Sequence, residues 1–132
     1  YGASKGGVAS LTYSWAVDLA GSGIRVNAVS PNAQTRMAEM YERHLGTRAQ
    51  GQNIGKTAER NAPAVVYLLC DLAAKVHGQV VRIDGDELSL ISHPAVLGAG
   101  IRNPQWTVEA VAAAFEGDLA RQLQPLGLTR AP

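Results

Sequence analysis

Apolar residues recur at helical spacing from the first turns of the chain. Val8, Leu11, Trp15 and Leu19 line one face of a helix predicted over residues 1–20. Ala3, Ser4, Gly6, Gly7, Ala9 and Ser10 crowd its early turns. Two glycines inside a helix cost stability, so another backbone is expected to approach closely there. Gly21-Ser22-Gly23 stops the helix. Residues 24–30 then read as a short apolar-rich strand carrying Ile24, Val26, Ala28 and Val29. Pro31 is expected to end it, because proline donates nothing to a central ladder.

Residues 32–57 are polar, with Met37, Met40, Tyr41 and Leu45 spaced for one short amphipathic helix and a mobile loop expected over 50–56. A second firm helix is predicted from about Thr57 to Ala74. Thr57 would cap it, Pro63 falls near the first turn where its missing N–H matters least, and the apolar run 64–70 reads as buried. Gly78 punctuates. Val80, Val81 and Ile83 mark a strand over 79–84, Gly85-Asp86 a turn, and Leu88 to Ile91 a further short strand. Thr107 then caps a last amphipathic helix reaching about Leu123, with Glu109 well placed against the helix dipole. The tail over 129–132 is expected to fray. The order helix, strand, helix, strand is that of α/β layers with a parallel sheet, and two principal strands cannot bury both faces of such a sheet.

Composition narrows the class. The 132 residues are 46% apolar with a net charge of +1. No basic run points to nucleic acid and no acidic tail to a disordered partner segment. No stretch is long and apolar enough to cross a membrane. Cys70 is the single cysteine and cannot form an internal disulfide, so a reducing cytoplasm is the simplest expected setting. The chain opens at Tyr1, without an initiator Met and already inside a helical pattern, which reads as a piece of a longer protein.

Tyr1 and Lys5 carry the candidate chemistry. A spacing of four places them on one helix face, one turn apart. An ammonium near a phenol favours the phenolate, and a phenol so poised exchanges a proton with a carbonyl or hydroxyl oxygen. Alone, such a pair is common on helix surfaces. His44, His77 and His93 are scattered without metal-ligand spacing, so structural or solvated roles are expected and no metal site. Cys70 has no activating neighbour and reads as a small core residue. Asp84-Gly85-Asp86 reads as a solvated acidic turn, since it lacks the ligand run of a calcium loop. Met37 and Met40 suit either plain packing or adaptation to an apolar acyl chain.

The run Tyr1-Gly2-Ala3-Ser4-Lys5-Gly6-Gly7-Val8, then Trp15-Ala16-Val17-Asp18-Leu19-Ala20, then Gly23-Ile24-Arg25-Val26-Asn27-Ala28-Val29-Ser30-Pro31 closely resembles the short-chain dehydrogenase/reductase family. In that family a Tyr-x-x-x-Lys helix leads into an Ile-Arg-Val-Asn strand ending at Pro-Gly. Gly78 to Gly85 resembles the family's last core strand, so the resemblance covers residues 1–86. It implies the C-terminal half of a Rossmann-type doubly wound parallel sheet, incomplete, over 1–86, followed by an extension over 87–132 with one helix. It also implies an NAD- or NADP-dependent oxidoreductase interconverting a secondary alcohol and a ketone. Tyr1 would be the general acid/base, and Lys5 would assist it and hold the nicotinamide ribose. Pro31, Asn32, Ala33 and Thr35 would lie over the cofactor, at the carboxyl end of a strand where open α/β sheets bind ligands.

Asn32 stands where the family has glycine. Asparagine tolerates a left-handed backbone, so the turn is expected to survive. The shortened run Pro31-Asn32-Ala33-Gln34-Thr35-Arg36-Met37 resembles the (3R)-hydroxyacyl-CoA dehydrogenase domain of multifunctional enzyme type 2, as do residues 62–70 and Trp106 to Val111. A small acyl thioester substrate, a (3R)-hydroxyacyl-CoA/3-oxoacyl-CoA pair, is therefore implied. Reduction of a 3-oxoacyl thioester in synthesis and a steroid-type dehydrogenase remain open, as does a non-catalytic packing module. The family's glycine-rich loop and its catalytic Ser and Asn all normally precede the Tyr, so the 132 residues alone are expected to be inactive. A homodimer or homotetramer is implied at full length, built partly through the small-residue helix.

Overall fold

The computed structural model describes residues 1–46 and 56–125. The loop expected over 50–56, Lys56 excepted, and the tail over 129–132 lie outside the described residues. The chain divides into two compact units, Tyr1–His93 and Pro94–Pro132.

The first unit opens with α1, Gly2–Asp18, close to its expected bounds. Its packing face is not the expected one. Thr12 and Ala16 are buried, whereas Val8, Leu11 and Trp15 are about half exposed. Small side chains face inward because the backbone of Gly78 comes close: a Cβ added to Gly78 would stand 3.0 Å from that of Ala16. Thr12 satisfies its hydroxyl within the helix, donating to the Val8 carbonyl at 2.9 Å. The close approach expected at Gly6 and Gly7 is absent among the described residues, where an added Cβ at either would meet nothing within 4 Å.

Gly78 also has a φ of +71°, a region costly for any residue with a Cβ. Gly78→Ala is therefore expected to destabilise by roughly 2–4 kcal/mol, combining left-handed strain with overpacking. Gly23→Ala is the control. Its φ is +83°, but its Cβ would meet open space, so it should cost only about 1–2 kcal/mol. Denaturant unfolding of the two variants measures the difference, and equal losses would remove the steric share.

Among the described residues three strands form one sheet in the order β1-β2-β3: β1 is Ala28–Asn32, β2 Val80–Asp84 and β3 Glu87–Ile91. β1 and β2 are parallel, from Ala28 opposite Val80 to Asn32 opposite Asp84. β2 and β3 are antiparallel, joined at Gly85-Asp86 with Asp84 opposite Glu87. Gly85 has a φ of +66° and Asp86 a negative one, the pattern of a type II′ hairpin. The sheet is therefore mixed, with parallel pairing confined to β1 and β2. Pro31 lies inside β1 rather than ending it. The Ala28 N–H donates to Gln79, so by alternation the N–H groups of 28, 30 and 32 face β2. The group that Pro31 lacks would face away from β2, on a side left unpaired among the described residues.

Residues 24–27, expected as strand, are held instead by polar side chains. The Val26 N–H donates to His77 Nδ1 at 3.1 Å, and His77 Nε2 lies 2.7 Å from the Ala16 carbonyl. The ring thus accepts on one nitrogen and donates on the other, the neutral Nε2–H tautomer. Asn27 donates to the Val76 carbonyl and accepts from the Gln79 N–H. His77 and Asn27 together tie the end of α1 to the start of β1 and β2.

After Thr35, α2 runs over Arg36–Leu45 and ends at Gly46 with a φ of +64°, as its spacing predicts. The helix expected from Thr57 to Ala74 is broken into three. A 3₁₀ turn at Ala58–Asn61 leads into α3, Ala62–Leu69. Cys70 is extended, and Asp71–Ala73 is a second 3₁₀ turn. Thr57 stands at the capping position without bonding a backbone N–H. The break frees carbonyls that a continuous helix would use. The Arg25 guanidinium takes them up, donating to Leu68 at 2.9 Å, Ala73 at 3.0 Å and Cys70 at 3.2 Å. The apolar run is not buried: Val66 is 63% and Leu69 80% exposed. Among the described residues the apolar core consists of Ala16, Ala73, Val80, Val81 and Ile83.

In the second unit α4 spans Val108–Glu116, capped by Thr107, whose hydroxyl accepts from the Ala110 N–H at 3.2 Å. It stops at Gly117, short of Leu123, and Ala120–Gln122 adds one separate 3₁₀ turn. Backbone and Thr107 hydrogen bonds hold the Glu109 carboxyl below the ordinary range. Among the described residues no helix is long and apolar enough to cross a membrane.

Candidate active site

Tyr1 and Lys5 fall on successive turns because the first intrahelical bond of α1 runs between them, from the Lys5 N–H to the Tyr1 carbonyl at 3.1 Å. Ser4 donates to the same carbonyl at 2.8 Å. The Lys5 ammonium sits 5.3 Å from the centroid of the Tyr1 ring, within cation–π range. The Tyr1 side chain is 92% exposed, so its hydroxyl is accessible.

Topology sets where this pair lies. The Gly21–Gly23 turn folds the chain back, and His77 joins Ala16 near the end of α1 to Val26 before β1. From that anchor, α1 rises roughly 22 Å back to Tyr1. In the other direction the chain runs from Val26 through β1 to Asn32. Tyr1 thus stands at the start of α1 and Asn32 at the carboxyl end of β1, on the two arms that leave this anchor.

Pro31 and Asn32 close β1, Ala33 follows, and Thr35 caps α2 by accepting from the Ala38 N–H at 3.2 Å. The Gln34 N–H donates to the Lys56 carbonyl at 2.7 Å. Among the described residues no hydrogen bond links this segment to Tyr1 or Lys5. Asn32 is not left-handed: no residue other than glycine has a positive φ among those described. It is extended within β1 and donates from Nδ2 to Asp84 Oδ1 at 3.0 Å.

Asp84, expected in a solvated turn, is instead a charged hub. Lys56 Nζ meets its Oδ1, and Arg82 donates to its Oδ2 at 3.0 Å. Asp86 pairs with Arg60. The Lys56 hydrogen bond, helped by Asn32 and Arg82 and opposed by partial burial, holds the Asp84 carboxyl below its usual range. A depressed carboxylate contributes stability that is present above its unfolded value, about 3.9, and lost as pH falls through the folded value. Denaturant unfolding between pH 7 and pH 2 should therefore show stability falling below about pH 4, with part of that fall missing in Asp84→Asn. Identical acid limbs for both proteins would remove this assignment.

Spacing signalled Tyr1 and Lys5. It did not signal Arg25, Asn27, His77 or Asp84, whose partners lie 28 to 61 residues away. The alternation of polar Arg25 and Asn27 with apolar neighbours was the one available hint. His93 lies 2.7 Å from the Gly78 carbonyl, and its ring centroid is 4.2 Å from that of Tyr13, the two rings tilted by 40°. Cys70 is half-buried, donating to the Tyr67 carbonyl, rather than a core residue. A cavity of about 660 Å³ lies between α3 and the β2–β3 hairpin, lined by Tyr67, Leu68, Val81, Ile83, Leu88 and Leu90 among others. Tyr1, Lys5 and residues 31–35 do not line it. It reflects the open apolar face there rather than the candidate chemistry.

Comparison with known proteins bears on the same residues. A family model described as enoyl-(acyl carrier protein) reductase matches residues 1–85. The chain is 44% identical over 89 residues to cis-4-hydroxycyclohexanecarboxylate dehydrogenase of Sinomonas cyclohexanicum, covering 64% of this chain and 36% of that protein. It is 40% identical over 89 residues to the 3-oxoacyl-(acyl-carrier-protein) reductase FabG of Thermotoga maritima, with the same coverage. A crystal structure of a short chain dehydrogenase from Mycobacterium avium superposes with a TM-score of 0.73 at 23% identity, over 99% of this chain and 40% of that one. This chain thus spans little more than a third of the length of these relatives, and its fold is part of a Rossmann-like α/β sheet. The Tyr-x-x-x-Lys helix, the strand that follows it and the matched relatives converge: the chain belongs to the short-chain dehydrogenase/reductase family.

Proposed function

We propose that the complete protein carrying this chain is an NAD- or NADP-dependent oxidoreductase. It interconverts a secondary alcohol and a ketone, with a (3R)-hydroxyacyl-CoA/3-oxoacyl-CoA pair as the preferred substrate class. The observation that carries the reading is the Tyr1–Lys5 pair, exposed on adjacent turns of the helix that leads into a parallel strand pair. Residues 1–86 would be the C-terminal part of the dehydrogenase domain and 87–132 an extension. A cytoplasmic setting and a homodimer or homotetramer accompany the reading.

The residues present fit a dinucleotide. Lys5 offers three N–H donors and has no carboxylate partner among the described residues, so it can hold ribose hydroxyls. Pro31, Asn32, Ala33 and Thr35 would cover the nicotinamide. The bound nicotinamide supplies the hydride acceptor or donor. Tyr1 Oη takes the proton of the alcohol during oxidation and returns one to the carbonyl oxygen during reduction. Lys5 stabilises the phenolate left when that proton is given up.

The acyl-CoA preference is supported by the Pro31–Met37 run and by the exposed Met37 and Met40 of α2, side chains that adapt to apolar chains. Identity to the Thermotoga maritima reductase favours a second reading, reduction of a 3-oxoacyl group on a carrier protein. Initial rates decide between them. The complete protein is assayed with (3R)-hydroxyacyl-CoA esters, their (3S) epimers, 3-oxoacyl carrier-protein thioesters and a hydroxysteroid. The (3R)-CoA esters are expected to lead by at least about tenfold in kcat/KM, some 1.4 kcal/mol of transition-state discrimination. A lead of that size for the carrier-protein thioester or the steroid would replace the CoA assignment.

A further inference from the structure

We infer that Asp84 is a positioning residue, which with Asn32 and Lys56 fixes the segment Asn32–Thr35 and thereby sets affinity for the dinucleotide. The inference rests on the proposed reading that this segment covers the nicotinamide.

Three observations carry it. Asp84 is the last paired residue of β2 and stands opposite Asn32, the last of β1, so the two side chains meet where the parallel strands end. The Asp84 carboxylate is held on both oxygens. Arg82 takes Oδ2, while Asn32 and Lys56 share Oδ1. Lys56 in turn reaches the segment by its backbone, accepting from the Gln34 N–H at 2.7 Å. The segment is thus tied at Asn32 by a side chain, at Gln34 by an amide and at Thr35 by the α2 cap. Two of these ties depend on Asp84, one directly and one through Lys56.

The presence of Asn rather than Gly at position 32 gains a physical reason. An extended backbone needs no glycine, and glycine would forfeit the amide that reaches Asp84. A loop held from both flanks loses less freedom when a ligand settles under it, which lowers the cost of binding.

The test is a double-mutant cycle in the complete protein, read as the Kd for NAD and NADP by calorimetry and as KM and kcat. Asp84→Ala and Asn32→Gly are each expected to raise cofactor Kd about five- to tenfold. The double variant should bind within about twofold of the weaker single, because neighbours in one network do not add. For Asp84→Ala, kcat at saturating cofactor should stay within about threefold of the parent, and Asp84→Asn, which keeps an acceptor, should recover most of the affinity. Unchanged Kd in the single variants, or fold-changes that multiply in the double, would overturn the inference. If Asp84→Ala does not fold, the same cycle and criteria apply to Asn32→Gly with Lys56→Met. A parent protein that binds neither dinucleotide would sink the underlying reading and the inference with it. A parent that binds, with variants that bind equally well, would sink the inference alone.

Discussion

Tyr1→Phe in the complete protein is expected to lower kcat by about 10²–10⁴-fold while changing cofactor affinity by less than about threefold, the signature of a lost proton donor. The substitution removes one oxygen and keeps the ring. The Lys5 ammonium, 5.3 Å from the ring centroid, retains its aromatic neighbour, and the helix bond from Lys5 to the Tyr1 carbonyl is unaffected. Since the side chain is exposed here, folding stability should move by no more than about 0.5 kcal/mol. Single-turnover measurements of hydride transfer, beside cofactor titrations, separate the two quantities. A variant that turns over like the parent would dismiss Tyr1 as the acid/base. One that loses cofactor binding as steeply as kcat would make the hydroxyl a binding group instead.

The parts of this molecule legible in the sequence are those fixed locally. The extent of α1 follows from apolar periodicity and the Gly21–Gly23 stop, and α2 from the spacing of Met37, Met40, Tyr41 and Leu45. The Gly85-Asp86 hairpin follows from turn chemistry. What stayed hidden depends on distant partners. Cys70 breaks the second helix where Arg25 waits 45 residues earlier to collect the freed carbonyls. Pro31 stays in β1 because its N side faces away from β2. Asp84 resembles solvated turn chemistry until Lys56 and Asn32 arrive from elsewhere in the chain.

Burial depends on something periodicity does not carry. Periodicity identifies an apolar face but not what covers it. Val66 and Leu69 of α3 and the Val8–Trp15 stripe of α1 are apolar and exposed, in a chain spanning little more than a third of its relatives' length. A doubly wound sheet carries helices on both faces. Three strands offer α1 and α3 little surface to cover. For the site, Tyr1 and Lys5 could be read because both lie on one helix four residues apart. The node at Asp84 could not, because it joins three separate segments.

Lys5→Ala should depress both quantities that Tyr1→Phe separates: kcat by about 10²-fold or more and cofactor affinity by about tenfold. The reason is that one ammonium serves two neighbours. Beside the phenol it stabilises the anionic form on which proton transfer depends. Toward a ribose it donates hydrogen bonds that charge strengthens to about 1.5–3 kcal/mol. In water, as around the exposed pair here, a charge contact is worth about 1 kcal/mol or less. A covered site of lower effective dielectric raises that several-fold, so the loss in a closed ternary complex should exceed anything Lys5→Ala does to folding. Lys5→Arg keeps the charge but replaces a compact ammonium with a planar fork. It should recover more of kcat than of cofactor affinity, since stabilising a phenolate needs charge nearby while binding two ribose hydroxyls needs the geometry of the original group. Measuring kcat, KM for cofactor and Kd in both variants tests the dual role. If Lys5→Ala leaves kcat and cofactor KM unaltered, Lys5 is only a surface cation resting on an aromatic ring.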